Sequence, residues 1–139
     1  MTTFHLHKQL AMDTEYVCTL SLCRVLLVND SNYPWLILVP ERADMREIHD
    51  LAEGDQIELM GEITLVSRML QTALEADKMN IAALGNMVSQ LHVHVIARYE
   101  GDPAWPGPVW GKVSAEPYEA EVLEARLEHL RAHLADMSL

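Results

Sequence analysis

The sequence predicts an α+β domain: an antiparallel sheet with helices on one face. Three observations predict it. Short β-rich runs are joined by turn residues rather than by regular helical crossovers. One long amphipathic stretch separates two groups of such runs, and a second closes the chain. No GxGxxG or Walker A sequence marks a nucleotide-binding parallel sheet.

Residues 16–29, YVCTLSLCRVLLVN, contain neither Gly nor Pro and read as one long strand or most of a hairpin. Asp30-Ser31-Asn32-Tyr33-Pro34 is a turn by composition. Trp35 to Pro40, WLILVP, is a continuous apolar run that suggests a strand buried on both faces, ended by its proline. Asp44 and Glu47 have the spacing of a capping box for a short helical turn. A long helix follows from Gly54 or Asp55 to Asp77, with Leu59, Ile63, Val66, Leu70 and Ala73 as its apolar stripe. Glu53, Asp55, Glu58 and Glu62 crowd its first turns, where negative charge complements the helix dipole, and read as a solvated face.

Met79 to Leu84 is a short strand, Gly85-Asn86 a turn, and Gln90 to Tyr99 the clearest strand of the chain. Residues 101–111 carry three Pro, three Gly and two Trp and form a loop. A last helix starts near Pro117 and runs to about 136, with Leu123, Leu127, Leu130 and Leu134 as its stripe. The 139 residues suit one domain, with a core over about 4–110 and the C-terminal helix outside it.

Ten basic against 21 acidic residues give a net charge of −11, which repels a nucleic-acid polymer. A small nucleotide in a local pocket is compatible with that charge. No apolar run approaches the roughly 20 residues of a membrane span. The start MTTFHLHKQL lacks a basic, apolar leader, so a cytoplasmic protein is expected. Cys18 and Cys23, at odd spacing, are expected on opposite faces of one strand and unbridged.

The chemistry-bearing segment is Gln90-Leu91-His92-Val93-His94-Val95-Ile96-Ala97-Arg98. Strand alternation puts Leu91, Val93, Val95 and Ala97 on one face and Gln90, His92, His94, Ile96 and Arg98 on the other. Imidazoles two residues apart sit about 7 Å apart along a strand, with tips free to converge. Three readings follow. The pair is a half-exposed polar face; or it binds metal, with His5 or His7 as further ligands; or it performs covalent chemistry at phosphorus, one imidazole attacking and the other assisting departure. Arg98 either attracts phosphate or pairs with Glu100, and the pair is favoured. His129 and His133 have a zinc-compatible helical spacing without a supporting motif and read as surface residues.

The stretch NIAALGNMVSQLHVHVIAR, followed by WPGPVWG, resembles the histidine triad (HIT) family of nucleotide-binding hydrolases and transferases, whose signature is His-φ-His-φ-His-φ-φ with φ apolar. LVN at 27–29 and LILVP at 36–40 are similar to two further strands of that family. The resemblance implies a HIT-like sheet of about five strands with a long helix on one face, usually in a homodimer. It implies attack by His92 on the α-phosphorus of a purine nucleotide conjugate, a nucleotidyl-histidine intermediate, and hydrolysis by water without metal or other cofactor. His94 assists the leaving group, and the other ring nitrogen of His92 donates to a backbone carbonyl. By position Asn29 resembles the ribose contact, and Asn80, Asn86 and Val88 are further nucleotide contacts.

Three departures stand out. Gln90 replaces the first triad histidine, Trp35 occupies the place of a further family histidine, and Met87 stands where a hydroxyl residue is common. These leave a non-catalytic nucleotide-binding module as the alternative, ahead of a His-x-His metal protein. Trp105 and Trp110 either cover the phosphate site or the partner's pocket, or anchor the loop to the sheet.

Overall fold

The computed structural model describes residues 3–137. In chain order the elements are α1 (Lys8–Asp13), β1 (Thr14–Thr19), β2 (Cys23–Val28), β3 (Trp35–Pro40), a 3-10 turn (Ile48–Asp50), α2 (Glu53–Leu74), β4 (Lys78–Ala82), β5 (Val93–Arg98) and α3 (Ala120–Met137). The five strands form one sheet in the order β1-β2-β3-β5-β4. Every neighbouring pair is antiparallel.

The region 16–29 resolves as a hairpin, β1 against β2. Cys18 therefore lies in β1 and Cys23 in β2, not on one strand, and both are free thiols. Helix α1 carries too few residues for a periodic signal; the His7 ring caps it, with Nδ1 accepting from the Gln9 N–H at 3.0 Å. The capping box is shifted from Asp44–Glu47 to Glu47–Asp50, because Asp44 takes a left-handed conformation with φ 61°. Helix α2 ends at Leu74 rather than Asp77, where Glu75 turns left-handed at φ 51°.

Side-chain alternation divides the sheet. Val25, Leu27, Leu36, Leu38, Val93, Val95 and Ala97 meet Leu59, Ile63, Val66, Met69 and Leu70 of α2 and Leu127, Leu130 and Leu134 of α3. Each large aliphatic side chain buried there contributes about 2 kcal/mol of transfer free energy. On the other face Leu26, Ile37 and Val39 are covered by Phe4, Leu6 and Leu10. Tyr33 and Ile96 are covered on that face by Ala104 and Val109. Helices thus seal one side, while the N-terminal segment and the loop after β5 cover the other incompletely.

Glu62 departs from the solvated face expected of α2. It is buried, and its carboxylate accepts the Leu22 and Cys23 backbone N–H groups at 2.9 and 2.8 Å. It thereby ties the helix to the β1–β2 turn. Glu62→Ala leaves two buried donors unsatisfied and is expected to lower stability by about 2–4 kcal/mol. Urea unfolding measures this, and a loss below about 0.5 kcal/mol would show that the tie is dispensable.

Candidate active site

The central strands β3 and β5 build the site. Their register pairs Trp35 with Ile96 and Ile37 with His94. Trp35, Ile37, His94, Ile96 and Arg98 therefore project to the face that the helices do not cover. The strand begins at Val93, so Gln90 and His92 belong to the irregular segment that leads into it. That irregularity lets the rings meet: the His92 and His94 centroids are 4.9 Å apart. The face is not half-exposed, since His92 and His94 are 7% and 6% accessible.

The two imidazoles are held in opposite tautomers. His92 Nδ1 lies 2.7 Å from the Gln90 carbonyl oxygen. A carbonyl only accepts, so Nδ1 carries a proton, and in the neutral ring the lone pair is on Nε2. His94 Nδ1 accepts the indole N–H of Trp35 at 3.0 Å. Indole only donates, so the His94 proton sits on Nε2. Burial, with a smaller contribution from the neighbouring His92, lowers the His94 pKa to about 4, and the ring is neutral near pH 7. Trp110 stands edge-on to His94 at 5.0 Å and to Trp35 at 5.7 Å.

Gln90 contributes its main-chain carbonyl to His92, while its side chain works elsewhere. The amide donates to the His5 carbonyl and accepts the His7 N–H, both at 2.8 Å. It clamps the N-terminal segment as a short strand would. Gln90→Ala is expected to free this segment, raising its cleavage rate in limited proteolysis severalfold with a global loss of only about 1–2 kcal/mol. Unaltered cleavage ahead of α1 would refute the clamp.

Arg98 is 1% accessible and pairs with Asp102, not with Glu100. Its Nε and Nη2 donate to the two Asp102 oxygens at 2.7 and 3.0 Å, Nη1 to Asn80 Oδ1 at 2.8 Å, and Nη2 to the Gly107 carbonyl at 2.8 Å. Asp102 also accepts from the Tyr99, Ala104 and Trp105 N–H groups. The guanidinium lies 5.8 Å from the Trp105 ring centre. The two readings of the loop therefore divide between its tryptophans: Trp105 anchors it at Arg98, and Trp110 closes over His94.

The other expected contacts disperse. Asn29 lines a cavity of about 490 Å³ with Trp35, Val109 and Trp110, and its Oδ1 accepts the Tyr118 N–H at 2.9 Å. Asn80 is spent on Arg98. Asn86 is exposed at the turn that Gly85 makes with φ 82°. Val88 packs in the apolar cluster with Ile37 and Val39. Met87 is 97% accessible, outside that cluster.

His92 opens into a cavity of about 280 Å³ lined also by Arg46, His49, Leu84, Gly85 and Gln90. A second, of about 500 Å³, shares Arg46 and Gln90 with it and continues to His5 and His7. The sequence reading missed Arg46, Asp102 and the donor role of Trp35. Only Asp102 left a signal there, an acid four residues after a strand arginine. Among the described residues no three His, Cys, Asp or Glu come together as a metal site. The His129 and His133 rings meet edge to face 4.5 Å apart on α3, without a third ligand among the described residues.

Fold and site together define a class: small antiparallel α+β domains in which a His-x-His segment leads into an inner strand of the sheet. The chain belongs to the HIT domain family, whose model matches residues 9–101. A histidine triad protein from Bradyrhizobium japonicum is 48% identical over 96% of this chain and 99% of its own, with a TM-score of 0.94. One from Sinorhizobium meliloti is 50% identical over 96% and 98%, at 0.92. One from Marinobacter aquaeolei is 46% identical over 98% and 99%, at 0.95. The curated proteins contain no match to the chain. Among the described residues no helix is long and apolar enough to cross a membrane.

Proposed function

We propose that the protein is a cytoplasmic hydrolase or transferase acting at the α-phosphorus of a purine nucleotide conjugate, with His92 as nucleophile. The supporting observation is the Gln90 carbonyl on His92 Nδ1, which in the neutral ring puts the lone pair on Nε2 of a histidine that lines a cavity. Nε2 attacks phosphorus, the bond to the leaving group breaks, and a nucleotidyl-imidazolium forms. Water then displaces the ring from phosphorus. His94 Nε2–H lies beside this path and hydrogen-bonds the phosphoryl oxygen or the leaving atom. Asn29 contacts the nucleoside from the Trp35–Trp110 side. Asn80 supports the site through Arg98, and Asn86 and Val88 border the turn before the histidine segment. No metal or other cofactor enters these steps.

Brief mixing with the mixed anhydride of AMP and a carboxylic acid, followed by intact-protein mass spectrometry, tests this. A transient gain of one adenylyl group, absent in His92→Ala, supports the reading. Nucleotide binding with neither adduct nor AMP would instead establish a non-catalytic binding module, the reading that the loss of a titratable group at Gln90 favours.

The homodimer belongs to the same proposal. Strand β4 is a sheet edge with Ile81 50% exposed, and α2 exposes Ile57 and Met60 at 75% and 62%. Apolar surface at an unpaired strand edge favours pairing with a second copy. Sedimentation equilibrium is expected to give the dimer mass; a monomer at micromolar concentration would refute it.

A further inference from the structure

Resting on the reading that His92 attacks the α-phosphorus, we propose that this site selects conjugates whose leaving group departs as a stable oxyanion, a carboxylate or a phosphate, over those that release an amine, because Trp35 holds His94 as a neutral Nε2–H donor. An amine leaves phosphorus only when its nitrogen gains a proton. An imidazolium supplies one readily, whereas a neutral imidazole would have to become imidazolate. Protonating His94 would require a proton on Nδ1, which faces the Trp35 N–H at 3.0 Å, donor against donor. The bond would be lost inside a buried site.

The surroundings do not counter this. His92, Trp35 and Trp110 pack on the His94 ring, and its ladder partners are Ile37 and Ala82. None is a carboxylate that would favour imidazolium. The atoms balance without an acid when the leaving group is an oxyanion. His92 Nε2 forms the N–P bond, the bridging P–O bond breaks, and its electron pair stays on the departing oxygen. His94 Nε2–H only hydrogen-bonds. Water then attacks phosphorus, the N–P electron pair returns to Nε2, and the water proton passes to solvent.

A second feature points to the same chemistry. The cavity at His92 runs into the one lined by His5 and His7, and Arg46 lies at their junction. In a chain of net charge −11, the Arg46 guanidinium makes no ion pair among the described residues. The adjacent Glu47 and Asp50 carboxylates are engaged by backbone N–H groups in their capping box, which leaves Asp44 as the unengaged carboxylate on the wall. Arg46 is the cation that an anionic leaving group would meet in this groove, beside the Asp44 and Glu47 carboxylates.

The experiment compares three adenosine substrates on the full chain: a carboxylic–phosphoric anhydride, diadenosine tetraphosphate and a primary-amine phosphoramidate. Each rate is taken relative to its uncatalysed hydrolysis, in wild type and Trp35→Phe. The two oxyanion substrates are expected to exceed the phosphoramidate by at least about a hundredfold in kcat/KM, the range of a missing general acid. In Trp35→Phe that ratio is expected to fall about tenfold or more as His94 regains access to imidazolium. ¹⁵N–¹H spectra of wild type are expected to show His94 protonated on Nε2 at pH 7, and Trp35→Phe to raise its pKa. A ratio near unity, a ratio unmoved in Trp35→Phe, or a wild-type proton on Nδ1 overturns the inference while His92 adducts keep the nucleophile reading intact. Absence of a His92 adduct with all three substrates overturns both. Preference for the anhydride alone assigns a carboxylate leaving group; turnover of the tetraphosphate as well assigns oxyanions generally.

Discussion

His92→Ala is expected to reduce kcat by about 10⁴ or more and to leave the fold in place. Removing a covalent nucleophile eliminates the intermediate itself, so the loss falls on kcat rather than on substrate affinity. The stability effect is small for a separate reason. His92 precedes β5, outside the strand ladder, and its side chain makes one hydrogen bond, to the Gln90 carbonyl. Losing it costs about 1 kcal/mol. Steady-state turnover together with thermal unfolding separates the two effects. Turnover above about one hundredth of wild type would show that His92 is not the nucleophile. An unfolded variant is answered by His92→Asn, which keeps a donor for the Gln90 carbonyl and is expected to be folded and inactive.

Arg98→Met is expected to destabilise the protein by about 3–5 kcal/mol, because it strands the Asp102 carboxylate in a buried site. The Asp102 side chain is 4% accessible and that of Arg98 2%. Burial pushes the Asp102 pKa up, but Arg98 and the Tyr99, Ala104 and Trp105 N–H groups outweigh it and hold it at about 2. The sign follows from a folded pKa below the unfolded value near 3.9. The stabilisation is complete above about pH 5 and is lost as pH falls through 4 toward 2. Wild-type urea unfolding is therefore expected to weaken in that window, and Arg98→Met to lack that dependence. The same variant is expected to free the loop that Trp105 anchors and to alter Trp110 fluorescence. Unfolding midpoints within about 0.5 kcal/mol of wild type would show that the pair does not hold the loop.

The α+β class and the strands of the central sheet were legible because their signals are local. WLILVP is an apolar run with clear ends, HVHVIA alternates at strand period although its strand begins at Val93 rather than Gln90, and the α2 and α3 stripes repeat at helical spacing. Boundaries failed where one residue's backbone decides, as at Glu75 and Asp44. In the site, the pairing of His92 and His94 was legible from the His-x-His spacing and from the family resemblance, although His92 lies ahead of the strand rather than on it. The partner of each ring was not. Trp35 meets His94 across 59 residues of chain, and Gln90 meets His5 across 85. Arg98 was expected to pair with Glu100, yet the loop after β5 folds back, buries that face and brings Asp102 to it instead. Glu62 looked solvated because a helical pattern reports charge but not which turn of a neighbouring hairpin lies against it.

The position of β5 between β3 and β4 has a bearing on motion. A strand flanked on both sides cannot open without breaking two ladders, so His94 and Trp35 sit in the part of the molecule with the slowest and rarest local unfolding. The tautomer that Trp35 imposes is therefore a fixed property of the framework. Any opening of the site falls to its margins, the N-terminal segment clamped by Gln90 and the loop that brings Trp110 to His94. Under the proposed reaction, access and chemistry are thereby divided between different parts of the chain, the margins yielding while the inner strands keep their geometry.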